Sequence, residues 1–206
     1  MKVKSTLFVA VFLSCSIMMG FIGGPSGGYK IGDRAADFKL KNVDGHFVSL
    51  SDFPKAKGFI VVFTCNHCPY AKKYEQRIMD LNAEFAAKGY PVIAISPNDP
   101  ASIPADSYDN MVALAKQKHY SFPYLFDGDN ATLAYGATST PHVYVLRKEN
   151  GGLIVRYIGA IDDNAFDPSA VKKRYAEDAV KALLGGGEPP VAFTKAIGCS
   201  IVRKTS

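Results

Sequence analysis

Between Lys57 and Phe85 the sequence changes period once, and that change fixes the centre of any fold the chain can adopt. The stretch KGFIVVFT (57–64) is a short continuous apolar run, the pattern of a strand buried on both faces. Immediately afterwards Ala71, Tyr74, Ile78, Leu81 and Phe85 recur at spacings of three and four, the stripe of an amphipathic helix that stops at Gly89. Between the two lies Cys65-Asn66-His67-Cys68, a pair of cysteines at a strand-to-helix junction.

The rest of the chain builds outward from that unit. YPVIAIS (90–96) is a second buried strand, and a strand–helix–strand order implies a right-handed crossover with parallel pairing. A polar loop with Pro97, Pro100 and Pro104 leads to a helix over about 107–119, a short strand at 124–126 and a short helix after Asp129. HVYVLR (142–147) and LIVRYIG (153–159), joined through Asn150-Gly151-Gly152, read as an antiparallel hairpin at the sheet edge. A helix over about 165–184 follows, ended by three glycines. Upstream, Asp37–Leu50 reads as a hairpin turning at Asp44-Gly45. The fold class is therefore α/β, a mixed central sheet flanked by helices with an N-terminal β-hairpin extension.

Lys2 and Lys4 precede an apolar run from Leu7 to Ile22, interrupted by Ser14, Cys15 and Ser16 and followed by a Gly/Pro/Ser-rich stretch. This is the pattern of an export signal, too short and interrupted for a stable membrane span. Residues 1–28 are read as signal and linker, 29–184 as one domain and 185–206 as a tail carrying Cys199. The expected location is the periplasm or cell envelope. FLSC distantly resembles a bacterial lipobox, so membrane association would come only through lipidation at Cys15.

Without Lys2 and Lys4 the chain has 22 basic residues against 19 acidic ones, from totals of 24 and 19. That surplus of three is too small and too dispersed for a nucleic-acid surface. Beyond the leader, three cysteines remain, Cys65, Cys68 and Cys199, an odd number in an oxidising compartment.

One C-x-x-C with no second pair and no H-x₃₋₅-H lacks the ligands of a structural zinc site. Its position suits redox chemistry. A thiolate at a helix N-terminus faces free N–H groups and the positive end of the dipole, which lowers the thiol pKa from about 8.5 toward 3.5–7.5. Cys65 is then the nucleophile and Cys68, one turn deeper, closes a disulfide on it to release the bound partner. His67, when protonated, stabilises the thiolate, with a weaker field from Lys72 and Lys73. Electrons pass through the sulfurs, so no cofactor is required.

IGDRAADFKLKNVDGHFVSLSDF, FIVVF, the C-x-x-C and TSTPHVYVL together resemble the thioredoxin-like superfamily, in the branch of alkyl hydroperoxide reductase, thiol-specific antioxidant and peroxiredoxin-like proteins. The likeness spans about residues 30–184. It implies a cis Thr140-Pro141 bond facing the cysteine pair, with Pro141 docking the substrate backbone. The partners implied are protein or small-molecule thiols and disulfides, or hydroperoxides.

The peroxidase alternative within that branch makes Cys68 the attacking thiol, resolved by Cys65 or Cys199. Laid on P-x-x-x-T-x-x-C, this chain has Val61 in the Pro place and Cys65 in the Thr place, with Thr64 one residue off. At the place of the family's arginine stands Pro141-His142, leaving Arg147 or Arg156 to substitute. AIGCSIVRK resembles the C-terminal tail of peroxiredoxin-like proteins, in which Cys199 folds back as a resolving thiol; the other reading is a small residue packing an apolar tail. A minor alternative resembles Sco-type copper proteins, with Cys65, Cys68 and His142 as ligands, although their cysteines are separated by three residues instead of two.

Overall fold

The computed structural model describes residues 27–128 and 130–204; the segment expected to be an export signal, with Cys15, lies outside the described residues. In chain order the elements are β1 (Arg34–Ala35), β2 (Lys39–Asn42), β3 (Phe47–Ser49), β4 (Gly58–Phe63), α1 (Pro69–Phe85), β5 (Val92–Ser96), α2 (Tyr108–Lys118), β6 (Tyr124–Phe126), α3 (Asn130–Tyr135), β7 (Ser139–Thr140), β8 (His142–Glu149), β9 (Gly152–Gly159), α4 (Tyr175–Leu184) and β10 (Cys199–Ser200). Eight strands form one mixed sheet in the order β1-β9-β8-β4-β5-β6-β2-β3.

The expected centre is in place. All six residues of β4 are buried, and β4 pairs in parallel with β5 across the α1 crossover. Alternate side chains of β4 serve two cores, as the two-residue period of a strand requires. Ile60 and Val62 join Tyr74, Ile78, Leu81 and Phe85 of α1, whereas Phe59, Val61 and Phe63 pack with Tyr135, Tyr144 and Leu125 on the other face. Tyr29 belongs to that second core, and Gly28 lies so close to Gly136 that a Cβ would sit 2.4 Å from its Cα. Among the described residues, packing thus includes Gly28, the last residue assigned to the leader.

The N-terminal hairpin β2–β3 is present as expected and turns at Gly45, which takes φ +90° as such a turn requires. Its strand β2 pairs antiparallel with β6, so the hairpin extends the sheet at one margin. Two expectations need correction. The β8–β9 hairpin does not lie at the sheet edge, because β1 pairs with β9 at Ile154 and Leu153. The last helix starts ten residues later than expected, at Tyr175. Pro168 opens a separate 3-10 turn, and Asp167 accepts from the Ser169 amide at its start. Proline disfavours the helical region for the residue before it, so a helix begun near Ala165 does not run through Asp167-Pro168.

The tail after the glycines returns to the body. Ile158 N–H donates to Ala192 O and Thr194 N–H to Ile158 O, and further on β10 pairs antiparallel with β7. Among the described residues no helix is long and apolar enough to cross a membrane.

Candidate active site

β4 ends at Phe63, and Thr64 N–H donates to Ile95 O at 2.9 Å, which fixes the start of the Cys65–Cys68 loop against β5. Cys68 is the N-cap of α1 and Pro69 its first residue, where the missing N–H carries no penalty. Cys68 is disulfide-bonded to Cys199, with Cα atoms 5.9 Å apart and a sequence separation of 131. Cys65 is a free, buried thiol. The expected Cys65–Cys68 bridge is therefore not the one present. Its place is taken because β10 lies along β7 with Cys199 opposite Thr140, which carries the third cysteine to the helix N-terminus.

The expected low pKa of Cys65 is also overturned. Burial pushes the Cys65 thiol up to about 11; the Thr140 hydroxyl opposes this and the Asp106 carboxylate adds to it. Cys65 lies three residues ahead of the N-cap, so the helix terminus belongs to Cys68. Lys72 and Lys73 are exposed on the solvent face of α1.

Thr140 is the residue that both cysteines share. Its Oγ1 is 3.2 Å from Cys65 Sγ, and its carbonyl oxygen is 3.3 Å from Cys68 Sγ. The Thr140-Pro141 bond is cis, as the family resemblance implies.

The sequence reading missed Asp106. This carboxylate is fully buried in a 3-10 turn beyond β5, and it organises the loop from outside. Its Oδ1 accepts from the amides of Asn66 (2.9 Å) and His67 (3.1 Å). Its Oδ2 accepts from Asn98 Nδ2 (2.7 Å) and lies 2.6 Å from His67 Nδ1. His67 Nδ1 is also 3.5 Å from Cys65 Sγ, so the imidazole stands between thiol and carboxylate. Tyr124 Oη donates to Asn66 Oδ1 at 2.9 Å and fixes the loop from below.

Cys65, His67 and Asp106 place one ligand atom each within 4.8 Å of one another. The donor set is soft and hard at once, and Asp106 is already satisfied by four nitrogen partners, so the cluster reads as a hydrogen-bond hub. The Cys65, Cys68 and His142 set is not what converges. His142 is buried, with Nδ1 3.4 Å from Thr138 N and its ring against Tyr144, and burial pulls its pKa down to about 4.

Arg147 and Arg156 do not serve the thiols. On β8, Arg147 pairs with Gly58 at the start of β4, whereas His142 pairs with Phe63 at its end. Five residues of strand separate the two ends by about 16 Å. Arg147 is engaged by Glu149 and Glu188, and Arg156 by Glu149.

The model of the AhpC/TSA family matches residues 31–158. A thiol-disulfide oxidoreductase ResA of Oceanobacillus iheyensis is 38% identical over 72 residues, 33% of this chain and 37% of that protein, so the chain spans little more than a third of that relative. A putative peroxiredoxin of Mycobacterium tuberculosis is 27% identical over 114 residues, 55% of this chain and 68% of its own. Among solved structures, an uncharacterized conserved protein from Geobacillus kaustophilus is similar with a TM-score of 0.79 at 34% identity, covering 86% of this chain and 94% of that one. A hypothetical protein from Sinorhizobium meliloti has a TM-score of 0.77 at 29% identity, covering 87% and 97%. With more than half of its length matched and its cysteines set at the end of the central strand, the chain belongs to the AhpC/TSA family of thioredoxin-fold oxidoreductases.

Proposed function

We propose that the protein is an exported thiol–disulfide oxidoreductase in which Cys65 and Cys68 exchange disulfides with a partner thiol or disulfide. The observation that carries this reading is a free thiol and a disulfide sharing one residue: Cys65 Sγ and Cys68 Sγ both abut Thr140. In the reduced protein the Cys65 thiolate attacks a partner disulfide, one partner sulfur leaving as a thiol. Cys68 then attacks Cys65 and releases the second partner thiol. Cys199 finally takes Cys68 and returns Cys65 to the thiol state. Each step forms one S–S bond and breaks one, so the partner's oxidising equivalent ends in the Cys68–Cys199 bond. Support for export comes from the first 28 residues of the sequence alone.

A second reading is favoured by the same bond. A peroxidase acting from Cys68 would form a sulfenic acid there, and condensation with the Cys199 thiol would leave Cys68–Cys199 and release water. The two readings part at Cys65. In the full chain, Cys65→Ser is expected to abolish reduction of a protein disulfide such as insulin in the presence of dithiothreitol. It would leave oxidation of Cys68 by dilute hydrogen peroxide intact if the peroxidase reading holds. Insulin reduction retained in that variant overturns the exchange assignment.

A further inference from the structure

A chain of polar groups joins the C-terminal segment to the free thiol. Val202 N–H, three residues past Cys199, donates to Asn98 Oδ1 at 2.9 Å. Asn98 Nδ2 donates to Asp106 Oδ2 at 2.7 Å, and that oxygen lies 2.6 Å from His67 Nδ1, which is 3.5 Å from Cys65 Sγ. One side-chain amide thus faces the tail with its carbonyl and the carboxylate beside the nucleophile with its N–H. Val202 O accepts from Asp99 N–H at 2.8 Å, which fixes the register of the tail against Asn98. Asn98 is 1% exposed, so bulk water does not replace a bond it loses.

Asp106 is where the two ends of this chain meet. A hydrogen bond donated to a carboxylate stabilises its charge, and Asn98 supplies one of the four that Asp106 receives. With Asn98 pinned by Val202, that charge is shared with the amide. When the tail leaves, Asn98 Oδ1 loses its partner, the amide is free to turn, and Asp106 directs more of its charge at His67. The ring lines the cleft between α1 and α2 with its side chain 29% exposed, so it takes a proton from solvent while Nδ1–H still faces the sulfur. That cation offsets the repulsion of the carboxylate and favours the Cys65 thiolate. The other titratable groups around the sulfur do not respond to the tail. Tyr120 and Tyr124 are held neutral by burial, Glu75 is paired with Lys118 at 2.7 Å, Tyr70 packs on Phe166, and Cys68 and Cys199 are bridged.

We infer that Asn98 is a positioning residue that reports the state of the tail to Cys65: while Cys68 is bridged to Cys199 the nucleophile is held as a thiol, and departure of the tail activates it. A reducing dithiol that takes the disulfide onto itself leaves Cys68 and Cys199 as two thiols, and the two-residue β7–β10 ladder that remains is marginal. Cys65 then becomes reactive when Cys68 is free to resolve the mixed disulfide it forms, and not before. The inference rests on the exchange reading above and adds its regulation.

The test uses the full chain with all three site cysteines in place. Wild type, Asn98→Ala and Val202→Pro are oxidised, the Cys68–Cys199 bond is confirmed by intact mass, and alkylation of Cys65 by iodoacetamide is followed against pH by peptide mapping. Proline at position 202 removes the N–H that Asn98 accepts and leaves the sequence of the Cys65–Cys68 loop unaltered. A change in access multiplies the rate by one factor at every pH, whereas a change in ionisation moves the midpoint of the profile. The expected midpoint is lower by about one pH unit in Asn98→Ala, which is about ten-fold in rate at pH 7, and lower by a smaller step in Val202→Pro. A midpoint in Val202→Pro that stays at the wild-type value or rises overturns the coupling, even where Asn98→Ala moves it. In the unaltered protein, dithiothreitol is expected to speed hydrogen exchange at the Val202 amide; unchanged protection after reduction overturns release of the tail. Insulin reduction by the wild type in the presence of dithiothreitol tests the exchange reading separately, and its absence overturns that reading whatever the midpoints show.

Discussion

Cys65 keeps its proton at neutral pH because its sulfur is buried and the nearest fixed charge is the Asp106 carboxylate, which disfavours a second anion. With the thiol pKa at about 11, only about one molecule in ten thousand carries the thiolate at pH 7. The form bridged at Cys68–Cys199 is therefore a resting form with respect to Cys65. Alkylation of Cys65 by iodoacetamide in the oxidised full chain is expected to rise about ten-fold per pH unit between pH 7 and 10, because only the thiolate reacts. The profile should level off only near pH 11. Peptide mapping of the alkylated residue gives the rate directly. A plateau that begins near pH 8 would mean that the thiol is not held by burial and that the resting state is open to partners.

At the scale of elements, the site depends on how α1 is held at its far side as well as at its capped end. Arg77 on α1 ties the segment that leads into α4: Nη1 lies 2.5 Å from the buried Asp162 carboxylate and 2.6 Å from Asn164 O, and Nη2 is 2.6 Å from Ala165 O. Removing one partner of a buried pair leaves the other charge uncompensated, so Arg77→Ala is expected to lower the unfolding free energy by about 3 kcal/mol. Urea denaturation with an unchanged slope would report it, and a loss below about 0.5 kcal/mol, the scale of an ordinary surface substitution, would show the pair to be dispensable. The irregular stretch that Arg77 ties down is also where the sequence was least legible. The β4–α1–β5 unit could be read because six buried residues and a five-membered apolar stripe are long enough to carry a period. The start of α4 was misplaced because lysines, alanines and a proline over 165–174 carry no apolar stripe to mark where the helix begins. β7 and β10 have two residues each, too few for any periodicity, and their pairing joins Thr140 to Cys199 across the chain. The Cys65–Cys68 motif and Pro141 were legible for the opposite reason, since a short motif states local chemistry. Asp106 was not, because nothing in its neighbourhood marks one aspartate as the buried partner of a loop some forty residues upstream.

For the whole molecule, the bond that decides the local chemistry also closes most of the described chain into one loop. Cys68 and Cys199 are 131 residues apart, and the chain-entropy account of a loop of that length gives about 5 kcal/mol of stabilisation through the unfolded state. Reduction should therefore lower the free energy of unfolding by up to that amount, even though the strand it frees is only two residues of ladder. A Cys65–Cys68 bridge closes a loop too short to restore much of it. The full-chain Cys199→Ser variant separates these contributions. Under mild oxidation it is expected to form the Cys65–Cys68 disulfide, detectable by mapping, and yet to unfold in urea close to the reduced wild type. A variant that bridges Cys65 to Cys68 but keeps the stability of the oxidised wild type would mean that the long loop is not what the bond stabilises. One that stays fully reduced would mean that Cys68 does not reach Cys65, and the hand-over from Cys65 through Cys68 to Cys199 could not operate.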